Sequence, residues 1–113
     1  MAELVKAVSK PERIAGGDAH VVRWEGLSAT LPEGAPMELP PFSARTMQVT
    51  GEFGEGSLVL YGSLDGVYWS EMIDFVADDM HGIDSDARYV KPKLMNPDKS
   101  TKLTAILLLR KLA

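Results

Sequence analysis

The side chains able to do chemistry are few. His20 and His81 are the only imidazoles, and there is no cysteine. His81 stands in Asp78-Asp79-Met80-His81-Gly82, where an imidazole beside carboxylates offers the donor types that bind divalent ions. The stretch 78–86 also has the composition of a calcium loop. It lacks the spaced Asp/Asn positions, the mid-loop glycine and the closing glutamate of an EF-hand. A solvated acidic loop accounts for the same residues. No GxSxG, HExxH, P-loop or dinucleotide fingerprint occurs, and no nucleophile stands with a base to activate it. The expectation is a non-enzymatic protein with no catalytic residues, no cofactor and no metal.

The aromatics offer a second chemistry. Trp24, Tyr61, Tyr68 and Trp69 could form a platform on which sugar rings stack. The competing demand is the core, because a small β domain needs large apolar side chains and Trp carries much burial area. Trp24 or Trp69 is therefore expected inside.

Charge is unevenly distributed. The net charge is −4, which argues against nucleic-acid binding, since that requires Lys and Arg to neutralise phosphates. Residues 46–87 contain no Lys or Arg but carry Glu52, Glu55, Asp65, Glu71, Asp74, Asp78, Asp79, Asp84 and Asp86. From Arg88 onward the pattern inverts: Arg88, Lys91, Lys93, Lys99, Lys102, Arg110 and Lys111 face only Asp98. Either acidic and basic strands pair within one sheet, or the blocks are complementary patches on neighbouring subunits.

These residues must be held by a single domain, since 113 residues supply one core. Without cysteine the fold rests on packing alone, which suits a reducing cytoplasm. The first ten residues lack a secretory h-region. The longest apolar run, 105–109, is far short of the roughly 20 residues of a membrane helix, so no membrane partner is expected.

Periodicity points to strands. Residues 1–9 fit a short helix or strand, ended by Lys10-Pro11. Gly16-Gly17 marks a turn, and residues 20–24 alternate as a strand. Residues 31–42 hold Pro32, Gly34, Pro36, Pro40 and Pro41 together with Leu31, Met37, Leu39 and Phe42. Proline withholds a ladder donor, so this stretch reads as a loop or extended arm. Its four apolar residues are candidate partner contacts, docking on the domain's own core or on a neighbour.

Residues 45–72 carry the strongest pattern. Met47, Val49, Gly51 and Phe53 alternate with polar residues, and Glu55-Gly56 is a tight turn. Leu58 and Leu60 follow on a second strand. Ser63-Leu64-Asp65-Gly66 is a second turn, with Asp able to bond its own backbone and Gly free to take positive φ. A third strand over 67–72 carries Trp69. This predicts a three-strand meander with Val49, Leu58, Leu60 and Trp69 buried. Residues 74–86 read as an acidic loop. Residues 88–94 read as a strand placed at an edge or bulge by Pro92, and Asn96-Pro97-Asp98 as a turn. Residues 103–109 read as a closing strand buried on both faces. The fold class expected is all-β: an antiparallel β-sandwich or jelly-roll-like domain over 1–113, with a Pro-rich N-terminal segment over 1–44 and the sandwich core over 45–113.

The run from Met47 through Gly54, followed by Leu58-Val59-Leu60-Tyr61-Gly62-Ser63-Leu64-Asp65-Gly66-Val67-Tyr68-Trp69 and by Arg88-Tyr89-Val90-Lys91-Pro92, resembles small virion proteins of tailed bacteriophages. The resemblance covers residues 46–111 and leaves the N-terminal part out. It implies a capsid decoration, or cement, protein: made in the bacterial host cytoplasm, located in the virion, and bound to the major capsid protein outside the head. Such a protein is a homo-oligomer, a dimer or trimer. A tail or baseplate component is the alternative within the same setting, and a carbohydrate-binding or adhesion module is the alternative outside it.

Overall fold

The computed structural model describes residues 4–14, 17–40, 43–85 and 87–111, with side chains described at these positions except 10–14, 17, 18, 43 and 111. Among the described residues there are nine strands: β1 (Val8–Ile14), β2 (Gly17–Ser28), β3 (Met37–Glu38), β4 (Ser43–Glu52), β5 (Ser57–Ser63), β6 (Ser70–Phe75), β7 (Asp79–Ile83), β8 (Tyr89–Met95) and β9 (Lys102–Lys111). They form two sheets, ordered β1-β2-β9-β4-β7 and β3-β8-β5-β6. All named strand pairings are antiparallel. Among the described residues no helix is long and apolar enough to cross a membrane.

The pairing is nested. β2 pairs with β9, β3 with β8, β4 with β7 and β5 with β6. The chain therefore runs as one long hairpin whose tip is the β5–β6 turn, wrapped so that alternate segments fall in opposite sheets. That winding is the jelly roll, with β1 added outside β2. The all-β expectation holds in this specific form.

The core lies between the sheets and follows from the period-2 patterns. Val22 and Trp24 on β2, Met47 and Val49 on β4, Leu58 and Leu60 on β5, Val90 and Leu94 on β8, and Leu103, Ala105 and Leu107 on β9 are all buried. Thr104, Ile106 and Leu108, on the opposite face of β9, are only half-buried, so this strand buries one face fully rather than both. Leu60 sits on a central strand between β6 and β8. Leu60→Ala should cost roughly 2–5 kcal/mol through the cavity left behind. Equilibrium denaturation checks this, and a near-neutral result would contradict the burial.

Several local expectations are corrected. β4 and β5 do not form a meander, because they lie in different sheets. The turn between them, with Gly54 at φ 56° and the Gly56 amide donating to the Phe53 carbonyl at 2.9 Å, is a corner that carries the chain across the sandwich. Alternation specifies which side chains face the core, not which strand lies alongside, so the two arrangements share one sequence pattern. The third strand begins at Ser70 rather than 67. Trp69 is half-buried, and the buried tryptophan is Trp24. Pro11 does not end β1; it lies within it, opposite His20. β1 is an outermost strand, where proline is tolerated. Pro92 lies in β8 between β3 and β5, opposite Leu60. Its carbonyl accepts from the Gly34 amide at 2.8 Å, so its missing donor falls on the side where the two-residue β3 gives way to an irregular bridge at Glu33–Lys93. Part of the acidic stretch 74–86 is ordered as β7.

The segment 31–40 is tied down by its own domain. The Leu94 amide donates to the Pro32 carbonyl at 2.7 Å, the Leu39 amide to Arg88 at 2.7 Å and the Ala35 amide to Val5 at 2.7 Å. Leu39 is 4% exposed, and Leu31 and Met37 pack against the core. These three are spent inside the chain and do not form a protruding arm. Phe42, the fourth candidate contact, lies outside the described residues, as does Gly16 of the proposed first turn.

Candidate functional site

Where β5 ends, the chain makes an extended turn before β6. Ser63 is buried at its base, and its Oγ accepts from the Asp65 and Gly66 amides at 3.3 and 2.8 Å. Asp65 Oδ1 accepts from the Val67 and Tyr68 amides at 2.8 and 2.9 Å and from Ser63 Oγ at 3.0 Å. Gly66 takes φ 80°. The Asp and Gly roles expected from the sequence are both realised. The loop is fixed by short-range bonds, yet it projects Leu64, Val67 and Tyr68 at 69%, 70% and 80% exposure.

Beside this loop lies an open cleft of about 450 Å³, lined by Gly62, Ser63, Leu64, Asp65, Tyr68, Ser70, Met72, Ser85 and Ala87. Its far wall is held from below by Arg45, a β4 residue only 9% exposed. Arg45 Nη1 donates to the Ser85 and Ala87 carbonyls at 2.9 and 2.8 Å, and Nη2 to the Pro40 carbonyl at 3.3 Å. A rigid planar donor fork suits three converging carbonyls. Sequence reasoning missed this residue, because nothing local marks an arginine as buried.

Backbone amides, from Tyr68 above all, hold the Asp65 carboxyl below its usual range. Asp98 is held at about 2, by Ser100 Oγ first and then by the amides of Glu55 and Ser100. It joins the 53–56 corner to the 96–100 turn through the Glu55 amide at 2.8 Å. A carboxyl depressed on folding stabilises the native state above its unfolded pKa of about 3.9 and loses that contribution as pH falls. The melting temperature of the wild type should therefore drop more steeply between about pH 4 and 2 than that of Asp98→Asn. Parallel pH profiles would argue against this clamp.

The other candidates do not assemble as a sugar platform or metal cluster. Trp24 is buried, its Nε1 donating to the Ala35 carbonyl at 2.9 Å. Trp69 lies under Lys91 Nζ, 4.5 Å from the ring centroid, and Tyr61 is opposite Lys91 in register. Tyr68 is left alone at the cleft. His20 is exposed on β2. His81 pairs with Asp79 at 3.0 Å and meets the Phe75 ring edge-on at 5.1 Å. Asp78 instead accepts from Thr50 and from the Gly51 amide. Among the described residues no three of His, Asp and Glu group to hold a metal ion.

Strands of the acidic and basic blocks pair as β4–β9, with Glu52 opposite Lys102, and as β5–β8. β6, which carries Glu71 and Asp74, is separated from β8 by β5. Lys91 and Lys93 instead reach Glu33 at 3.3 and 4.0 Å, and Arg88 reaches Glu38 at 4.0 Å. The outer face of the four-stranded sheet is thus charged. The outer face of the five-stranded sheet differs. Registers place Val8, Arg23, Ile106, Gln48 and Met80 in one row and Lys10, Val21, Leu108, Thr46 and Gly82 in the next. Val8 and Met80 are exposed there, and the rows contain no carboxylate.

No family model matches this chain, and no curated protein does. Among solved structures it is similar to the cupin domain of Drosophila melanogaster CENP-C, at 11% identity and a TM-score of 0.41 over 91% of this chain and 75% of that one. It is also similar to the K1 cleaved adhesin domain of Lys-gingipain from Porphyromonas gingivalis W83, at 11% identity and a TM-score of 0.41 over 93% of this chain and 84% of that one. These likenesses concern β architecture and carry nothing about function.

Proposed function

We propose that the protein is a structural component of a tailed-phage virion, a decoration protein that binds the major capsid protein on the outside of the head as a homo-oligomer. The observation that carries this reading is the outer face of the five-stranded sheet, where the two central register rows hold no carboxylate, Val8, Gln48 and Met80 are exposed, and Thr46, Ile106 and Leu108 are half-buried. Desolvating such a surface costs little, and apolar area removed from water stabilises a complex. Two further points support it. The residues carrying the phage resemblance build β4, β5, the 64–69 turn and β8, and jelly rolls are widely used in viral capsids. Fold alone does not assign function, so the test is physical association. Particles from cells carrying the gene are banded by density, and copies of the chain are counted by mass spectrometry. A fixed ratio to the major capsid protein is expected, with loss of the chain from particles in the face variant Leu108→Glu if that variant melts normally. Absence of the wild-type chain from particles would overturn the reading.

A further inference from the structure

We propose that the cleft beside the 64–69 loop binds a neutral sugar residue of a glycan, with the Tyr68 ring as its stacking face. A pyranose presents an apolar C–H face and a rim of hydroxyls. The cleft offers the complement of both. Its lining includes the apolar Gly62, Met72 and Ala87 and the Tyr68 side chain, 80% exposed. Asp65, Ser70 and Ser85 add polar groups to the same lining. Asp65 Oδ1 is occupied by the loop, but Oδ2 accepts no hydrogen bond from the described residues, and neither does the Ser70 hydroxyl. A carboxylate oxygen is a strong acceptor for a sugar hydroxyl.

The volume, about 450 Å³, lies within the roughly 300–1,000 Å³ of small-molecule sites. Charge narrows the ligand class. None of the lining residues is cationic, and residues 46–87 contain no Lys or Arg. Arg45 beneath the wall is directed at the Ser85, Ala87 and Pro40 carbonyls. A phosphate, sulfate or sialic acid would meet Asp65 with no cation lining the cleft to offset it. The loop is already locked by Ser63, Asp65 and Gly66, so little conformational freedom is lost on binding. Peptides remain the competing occupant, since Leu64 and Val67 are exposed nearby.

The test is a glycan array probed with the full chain, followed by titration of the best ligand. Binding to neutral glycans is expected, weakened about tenfold or more in Tyr68→Ala and retained in Tyr68→Trp. The melting temperature of both variants should match the wild type, because Tyr68 is exposed. Ser70→Ala supplies a second variant outside the loop's own bonds. No glycan signal, binding confined to anionic glycans, affinity unchanged in Tyr68→Ala, or a cleft occupied only by apolar peptides would each overturn the proposal. The result is independent of particle association: a chain that binds glycans yet is absent from virions fails the decoration reading alone.

Discussion

Deleting residues 32–40 is expected to abolish cooperative folding. The segment supplies backbone bonds from Gly34 to Pro92, from Ala35 to Val5 and from Leu39 to Arg88, and accepts one from Leu94 at Pro32. At about 1 kcal/mol net per bond, with roughly 1.5–3 kcal/mol for burying a side chain such as Leu39, the loss approaches the ~5–15 kcal/mol margin of a typical domain. Trp24 makes it worse. It is fully buried, and its indole N–H would lose the Ala35 carbonyl. Circular dichroism during heating should show no sigmoidal transition in the deleted chain. A deletion variant that melts cooperatively would mean that the segment is an appendage after all. Gly34→Ala is the point version of the same test. A Cβ there would stand 2.6 Å from Pro92 Cγ and 2.7 Å from Trp24 Cδ1, and a proline ring in a sheet has little room to yield. Overpacking of this kind costs roughly 1–3 kcal/mol.

Arg45→Met should destabilise the domain by ~2–4 kcal/mol, because it keeps most of the side-chain bulk but removes the guanidinium bonds to the buried Ala87 carbonyl and to the part-buried carbonyls of Ser85 and Pro40. Arg45→Lys should recover only part of the loss, since one ammonium cannot match a planar fork spread over three acceptors. Urea denaturation measures both. A methionine variant within about 0.5 kcal/mol of wild type would show that those carbonyls find water instead. The same substitution loosens Ser85 and Ala87 at the cleft, so glycan affinity should fall with it.

Alternation made β2, β4, β5 and β9 legible, because each buries one face against the opposite sheet. Turn chemistry made the 63–66 loop legible, because Asp65 and Gly66 act within a few residues of themselves. What could not be read was anything decided across the fold. Whether β4 meets β5 edge to edge or across the core leaves the same residues buried. β7 was hidden because its five residues include Asp79, His81 and Gly82, and it is held by β4 rather than by its own propensity. The choice of Trp24 over Trp69 for the interior depends on Gly34 and Ala35 arriving over it. Tyr68 was visible as an aromatic, but only the cleft wall of Ser85 and Ala87, distant in sequence, gives it a setting.

The nested pairing has a kinetic consequence. β9 lies between β2 and β4, so Ala19 finds Arg110 and Ser43 finds Lys111 across most of the chain. Contacts of such long sequence separation put the domain among slow folders, on the order of milliseconds to seconds. During synthesis the gap between β2 and β4 stays open until residues 102–111 have left the ribosome, with two unpaired edges and the core-facing side chains of both strands uncovered. Folding of the five-stranded sheet then waits on the emergence of β9. Until that moment the nascent protein is the species most exposed to chaperones and to aggregation.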